Sequence, residues 1–314
     1  MVGPALCYFA LNSSGEAARG WGIPMATDIA FAVGIVALLG ARVSPKLKLF
    51  LLTLAIVDDI GAIAVIAIFY TTDLSISWLV ISVVGLVAIR VLQILKVWAI
   101  GIYLLLGIFI WYAMLESGVH ATIAGVALGL LTPARPLLAQ RDAQSIVDAM
   151  PDDAGVGEVR HVSFLVQESV PLTERFENFL HPFTAYMIIP IFALANAGIV
   201  LTGDKVSAAT SSNVTLGIIL GLVIGKPLGI TLFAWAATKV GFELPPGVNW
   251  VQFIGMGLAA GIGFTVSIFV GGLAFETAAI TDLAKIGILV ASAVAAVAAL
   301  IVLYVSANNE EPSK

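Results

Sequence analysis

KLKLFLLTLAIVDDIGAIAVIAIFY, residues Lys46 to Tyr70, decides the fold. At about 1.5 Å of rise per residue, this apolar run is long enough to cross a bilayer as one helix. It nevertheless carries two adjacent carboxylates, Asp58 and Asp59, near its middle. A charge at the bilayer centre costs at least ~2.5–3.5 kcal/mol, so ionisable groups there pair, face a wet cavity, or bind an ion or proton.

Composition sets the class. Hydrophobic residues make up 60% of the 314 and charged residues 11%, and the mean hydropathy is +1.05. A soluble domain carries roughly 25% charged residues. The sequence therefore predicts an all-α polytopic membrane protein. The net charge of −5 gives no basic face for nucleic acid. The single cysteine, Cys7, excludes an intramolecular disulfide and any cysteine-based metal site, and it reads as a small apolar helix residue. No G-x-x-x-x-G-K-[ST] loop is present, so no nucleotide and no cofactor is expected. The first residues show no charged leader or small-residue cleavage site, and Val2 to Leu11 reads as the end of a helix whose beginning is missing.

Working outward, a loop is expected from Asn12 to Ile23, then a short apolar segment, Pro24 to Gly40, interrupted at Thr27 and Asp28. Further spans are expected at Ser75 to Gln93, Val97 to Leu115, Gly118 to Thr132, Pro182 to Leu201, Val214 to Thr238, Val251 to Phe275 and Leu283 to Val305. With the organising helix these make nine spans and a stub. Residues 133–181 form the one long polar connection, within which Val159 to Leu180 is amphipathic but broken by Pro171. Alternating topology places Arg42, Lys46, Lys48, Arg90, Lys96, Lys239, Lys314 and the four arginines of the connection (Arg135, Arg141, Arg160, Arg175) on one side. Arg19, Lys205 and Lys285 lie on the other, so the first side, with the C-terminus, is expected to be cytoplasmic.

Four ionisable residues fall at membrane depth: Asp28, Asp58, Asp59 and Lys226. One lysine cannot neutralise three aspartates. Neighbours on a helix point about 100° apart, so one of Asp58 and Asp59 is expected to pair with Lys226 and the other to stay free for a cation or proton. A purely structural ion pair accounts for one aspartate and leaves the second unexplained. The glycine-rich segment Val251 to Phe275 matches the interrupted Asp28 segment, although its glycines also suit close helix packing. Two triplets follow: stub, Asp28 segment and Asp58/Asp59 helix, then Lys226 helix, Gly261 segment and final helix. They begin on opposite sides of the membrane. This is the pattern of an inverted-repeat transporter with two discontinuous, crossing helices, whose half-helix ends lend partial charge to a midplane site. Thr27 and Asp28 would then face helix N-termini, and Lys226 helix C-termini.

The strings GWGIPMATDIAFAVG, LTLAIVDDIGAIAVIAIFY, GVHATIAGVALGLLTP, HPFTAYMIIPIFALANAG, GKPLGI and GIGFTVSIFV occur in this order, and together they resemble the NhaA family of bacterial sodium/proton antiporters. The resemblance implies exchange of Na⁺ or Li⁺ for H⁺ in the bacterial inner membrane. It implies Asp59 as the principal cation and proton site, and Asp58 as the partner of Lys226 with a share in proton exchange. Thr27 and Asp28, with Gly261 and Gly263, would lie at the helix crossing. Residues 1–70 and 214–305 would form the ion-binding core, and 75–201 the intervening interface helices. His120 and Glu177 fall in motifs tied to pH response, although Asn178 stands where histidine is expected and a lone His is often merely interfacial. Two N-terminal helices and the front of a third, including a hairpin that serves a homodimer, are expected in the family and have no counterpart in this sequence. An assembly-weakened or inactive homologue, an ion channel, and an intramembrane aspartyl protease, whose acids sit on facing helices and share a proton, are the competing readings.

Overall fold

The structure is a computed structural model that describes residues 1–308 except 72–73, 96, 98–99, 137, 152–153, 197, 200–201 and 245–247. Lys96 and Lys314 of the charge count, and Leu201 at the end of one expected span, lie outside the described residues. The described chain is helical, in the order α1 (Val2–Leu11), a 3₁₀ helix (Glu16–Met25), α2 (Ile29–Ala37), α3 (Pro45–Phe69), α4 (Ile76–Ile94), α5 (Ile100–Glu116) and α6 (Thr122–Leu131). Then come α7 (Gln140–Asp148), α8 (Val156–Gln167), α9 (Leu172–Phe183), a π turn (Thr184–Ile188), α10 (Ile189–Asn196), α11 (Gly203–Ser211) and α12 (Asn213–Leu220). A second π turn (Gly221–Gly225), α13 (Lys226–Lys239), α14 (Trp250–Ala260), α15 (Phe264–Ala274) and α16 (Ala278–Asn308) complete it. Two compact units result, residues 1–70 with 192–314, and residues 71–191.

Local chemistry sets the boundaries. Ser44 caps α3 by accepting from the Leu47 amide, and Pro45 supplies a preset first turn. Asn249 and Gln252 form a reciprocal capping box at the start of α14. Pro171 sits at the break between α8 and α9, where the amphipathic stretch was expected to part.

Three expectations are corrected. The Asn12–Ile23 loop is largely 3₁₀ helix, launched from Gly15 at φ 67° and ending just after Pro24, whose ring fixes φ and lacks an N–H. The span expected to begin at Pro182 begins at Leu172: the helix runs through Pro182 at the loss of one hydrogen bond, and the π turn Thr184–Ile188 beyond it makes room for Pro190 before the helix continues to Asn196. The span expected over Gly118 to Thr132 is helical only over the ten residues of α6, since Gly118 at φ 79° turns the chain and His120 lies ahead of the helix. Among the described residues five unbroken helices and two bent pairs are long and apolar enough to cross a membrane, and Gly101–Glu116 and Thr122–Leu131 are shorter apolar helices within two further expected spans.

The first unit holds the two bent pairs: the 3₁₀ helix with α2, bent by 42°, and α14 with α15, bent by 46°. They run antiparallel. Glu16, at the start of the first pair, bonds Glu276 and Thr277 just past the end of the second, while at their middles the Asp28 amide donates to Ile262 O at 2.7 Å. The breaks at 26–28 and 261–263 therefore cross. On α16 the buried residues Ala284, Ile288, Ala291, Ala295, Ala299 and Leu303 recur every three or four positions, a stripe of mainly small side chains that lets other helices approach closely. On α3 the buried stripe is Leu47, Leu51, Ala55, Asp58, Ala62 and Ile66.

The second unit is built on Ile89, Tyr103, Ile110, Met114 and Ala124 of α4, α5 and α6. Gln93 of α4 ties it further by donating to Leu131 O at 2.8 Å.

Packing should dominate stability in the first unit. Ile218→Ala, at a fully buried position on α12, is expected to cost ~2–5 kcal/mol. Leu232→Ala, 59% exposed on α13, is expected to cost less than ~1 kcal/mol. Thermal unfolding in detergent measures both; equal losses would contradict the assigned core.

Candidate ion-binding site at the helix crossing

The buried stripe of α3 turns Asp58 inward and leaves Asp59, one residue on, half-buried. Asp58 is 4% exposed, and its Oδ2 lies 2.9 Å from Lys226 Nζ. Lys226 is delivered from the next repeat by an unusual piece of helix. The π turn Gly221–Gly225 immediately precedes it, and Pro227 follows. A proline at 227 would press its ring against the carbonyl of Val223 in a regular α-helix, and the wider turn relieves that clash.

Lys226 also donates to the carbonyl oxygen of Met25, the last residue of the 3₁₀ helix. That carbonyl has no partner in its own helix and carries part of the negative end of its dipole. Thr27, fully buried, places its Oγ1 2.9 Å from Asp58 Oδ2 and 3.0 Å from Ala260 O, the last residue of α14, so it meets the C-terminal end of a half-helix and not the N-terminus expected of it. One hydroxyl proton serves only one of these acceptors at a time.

Asp28 does a different job. Its Oδ1 accepts from the Phe31 amide at 3.2 Å, capping α2, and its Oδ2 accepts from the Thr265 amide at 2.9 Å and the Thr265 hydroxyl at 2.6 Å in the first turn of α15. Two helix N-termini thus converge on one carboxylate. Ser267 adds a bond from its hydroxyl to Ile23 O at 2.8 Å. Space for these contacts comes from Gly261 and Gly263. A Cβ at Gly261 would run into the Leu222 carbonyl, and one at Gly263 would meet Ser267 Oγ and come within 3.3 Å of Ala26 O.

Asp59 differs from the other three ionisable groups. Its Oδ1 is buried with no hydrogen-bond partner among the described residues. A buried carboxyl oxygen with no donor beside it is where a proton or a cation can bind without displacing another partner. Among the described residues, no cluster of three or more His, Cys, Asp or Glu side chains is placed to hold a metal ion. His120 and Glu177 belong to the second unit; His120 is half-buried ahead of α6, and Glu177 is exposed on α9. Sequence reasoning singled out no role for Thr265, Ser267 or the Met25 and Ala260 carbonyls. The two side chains stand inside the quoted GIGFTVSIFV string, whereas backbone acceptors leave no mark in a sequence.

The family model described as "Na+/H+ antiporter 1" matches residues 1–303. The chain belongs to this family. It is 44% identical to the Na(+)/H(+) antiporter NhaA of Oleidesulfovibrio alaskensis across the whole chain and 73% of that protein. It is 43% identical to Na(+)/H(+) antiporter NhaA 3 of Frankia alni over 97% of the chain and 66% of that protein. With the NhaA of Citrobacter koseri it shares 44% identity over 95% of the chain and 70% of the relative. These relatives are named as transporters and not as enzymes. The geometry also lacks what a protease dyad needs: Asp58 is held by a lysine, and both oxygens of Asp28 are taken by N–H and O–H donors.

Removing one partner of the buried pair should be costly. Lys226→Ala is expected to destabilise by ~3–5 kcal/mol by leaving Asp58 buried without its partner. Adding Asp58→Asn should recover part of that loss. Thermal unfolding of the two variants tests this, and a double variant no more stable than the single would show that the cost lies elsewhere.

Proposed function

We propose that this chain exchanges Na⁺ or Li⁺ for H⁺ across the bacterial inner membrane, with its C-terminus in the cytoplasm. Its family and the names of its relatives support the class of transport. The observation that carries the chemistry is the buried, unpartnered oxygen of Asp59 beside the Asp58–Lys226 pair.

In this reading Asp59 binds either a proton or a cation. Carboxylate oxygens are hard ligands that suit Na⁺ and Li⁺. Asp58 is the second acidic group: when a cation arrives, Lys226 can stay anchored on the Met25 carbonyl while Asp58 turns to the cation, and Thr27 can hand its hydroxyl proton from Asp58 to Ala260 O. Cation loading then releases the proton that Asp59 held on one side, and cation release permits its reprotonation on the other. Because one site serves both ions, alternating its exposure couples the two fluxes. Residues 1–70 and 214–305 are assigned to this core and 75–201 to the intervening interface helices, and the chain is assigned to a homodimer. His120 and Glu177 are assigned to pH response.

Everted vesicles from an antiporter-deficient bacterium test the reading, with a pH-gradient dye followed after addition of NaCl, LiCl or KCl. Na⁺ or Li⁺ is expected to collapse the gradient with the unaltered chain. Asp59→Asn, present in the membrane at equal amount, is expected to give no response. Undiminished exchange by Asp59→Asn would remove Asp59 from the mechanism.

A further inference from the structure

At the end of the first unit where α3 terminates, a short polar network joins the two repeats. Glu16 opens the 3₁₀ helix. Its Oε1 accepts from the amides of Glu276 and Thr277 at 2.8 and 2.9 Å, and its Oε2 accepts from the Thr277 hydroxyl at 2.8 Å. These amides stand at the start of α16, the longest helix, so Glu16 caps that helix from another part of the chain. Arg19, one turn on, pairs with Glu276 at 2.9 Å.

The segment carrying both residues is fastened on its other side to its own repeat. The Tyr8 hydroxyl donates to Ala17 O and the Tyr70 hydroxyl to Arg19 O, tying it to α1 and to the end of α3. The polar bonds from Glu16 and Arg19 therefore cross from the first repeat to the second. Directly beneath them lies an apolar plug of Tyr8, Ile23, Tyr70, Ala274 and Phe275, each at most 6% exposed. Gly20 lets this plug close: a Cβ there would come within 2.5 Å of the Phe275 ring. From this end to Asp59 the path along α3 is ten residues, about 15 Å.

We propose that Glu16, seconded by Arg19, is a latch that holds this end of the crossing shut, and that it releases when the site is exposed toward that end. The proposal rests on the reading of the chain as an alternating exchanger, in whose orientation this is the outer end. The two parts are unequal. Arg19 and Glu276 are 47% and 84% exposed, and such a pair contributes little by itself. Glu16 takes three hydrogen bonds, two of them from backbone amides that would otherwise lack protein partners. Opening this end separates residue 16 from residues 276 and 277, returning the amides and the carboxylate to water. A bond that water can replace is suited to opening in every cycle.

Cysteine labelling in detergent tests the latch without requiring transport. In a Cys7→Ser background, a cysteine is placed either at Ala274, 1% exposed beneath the latch, or at Ala299, fully buried further along α16. Glu16→Ala is expected to raise the maleimide labelling rate at position 274 at least about fivefold and to leave position 299 unchanged. Arg19→Glu should raise it less, and Arg19→Glu with Glu276→Arg should bring it back. If Glu16→Ala does not accumulate, Thr277→Val makes the same comparison. An unchanged rate at 274 would overturn the proposal, as would equal acceleration at 274 and 299, which marks general loosening. A selective effect in a protein that shows no exchange in vesicles would leave the latch standing and count against the exchange reading alone.

Discussion

The structure depends on one buried ion pair. Asp58 and Lys226 come from different repeats, are almost fully removed from solvent, and meet at 2.9 Å. Neither charge could stay there alone, because the cost of desolvating an ion is repaid only by a close partner and further hydrogen bonds. The Thr27 hydroxyl and the Met25 carbonyl supply those bonds. The pair therefore needs the first helix break to be in place, and both breaks in turn have their exposed backbone ends satisfied by side chains gathered around the pair.

This mutual dependence explains why irregular backbone is tolerated here. A helix end inside a bilayer leaves amides and carbonyls with neither water nor a helical neighbour. At this crossing each half supplies what the other lacks. Asp28 accepts from the first turn of α15, Lys226 and Ser267 donate to the end of the 3₁₀ helix, and Thr27 reaches the end of α14. Asp28 is thereby fully occupied as a joint. Asp59 Oδ1, by contrast, has no donor among the described residues.

Much of this arrangement is legible in the sequence. The apolar runs, the interruption at Thr27 and Asp28, the glycines after Ala260, and the four charges at membrane depth already define two broken spans and a shared polar centre. Which of Asp58 and Asp59 joins the buried stripe Leu47, Leu51, Ala55, Asp58, Ala62 and Ile66 is not legible in residue spacing, because α3 is apolar on every face. What else the sequence conceals is of two kinds. Backbone acceptors such as Met25 O and Ala260 O belong to no residue type. A helix that runs through a proline at the loss of one hydrogen bond, and a 3₁₀ helix, escape rules that treat proline and glycine as terminators, which is why Leu172–Asn196 begins ten residues before Pro182 and why Glu16–Met25 is not a loop.

The π turn at Gly221–Gly225 has a consequence for how the span Asn213–Lys239 is divided. A π turn holds about one residue more than an α turn, so everything beyond it is rotated by about 100° relative to an uninterrupted helix. α12 and α13 are in effect two independently phased surfaces on a single rod. The first is free to fit Thr215 against Gly287 of α16 and Gly217 against Tyr8 and Asn12 of the α1 end. The second is free to aim a lysine at the crossing, so a change that improves packing along α12 does not have to turn the charge away from its carboxylate.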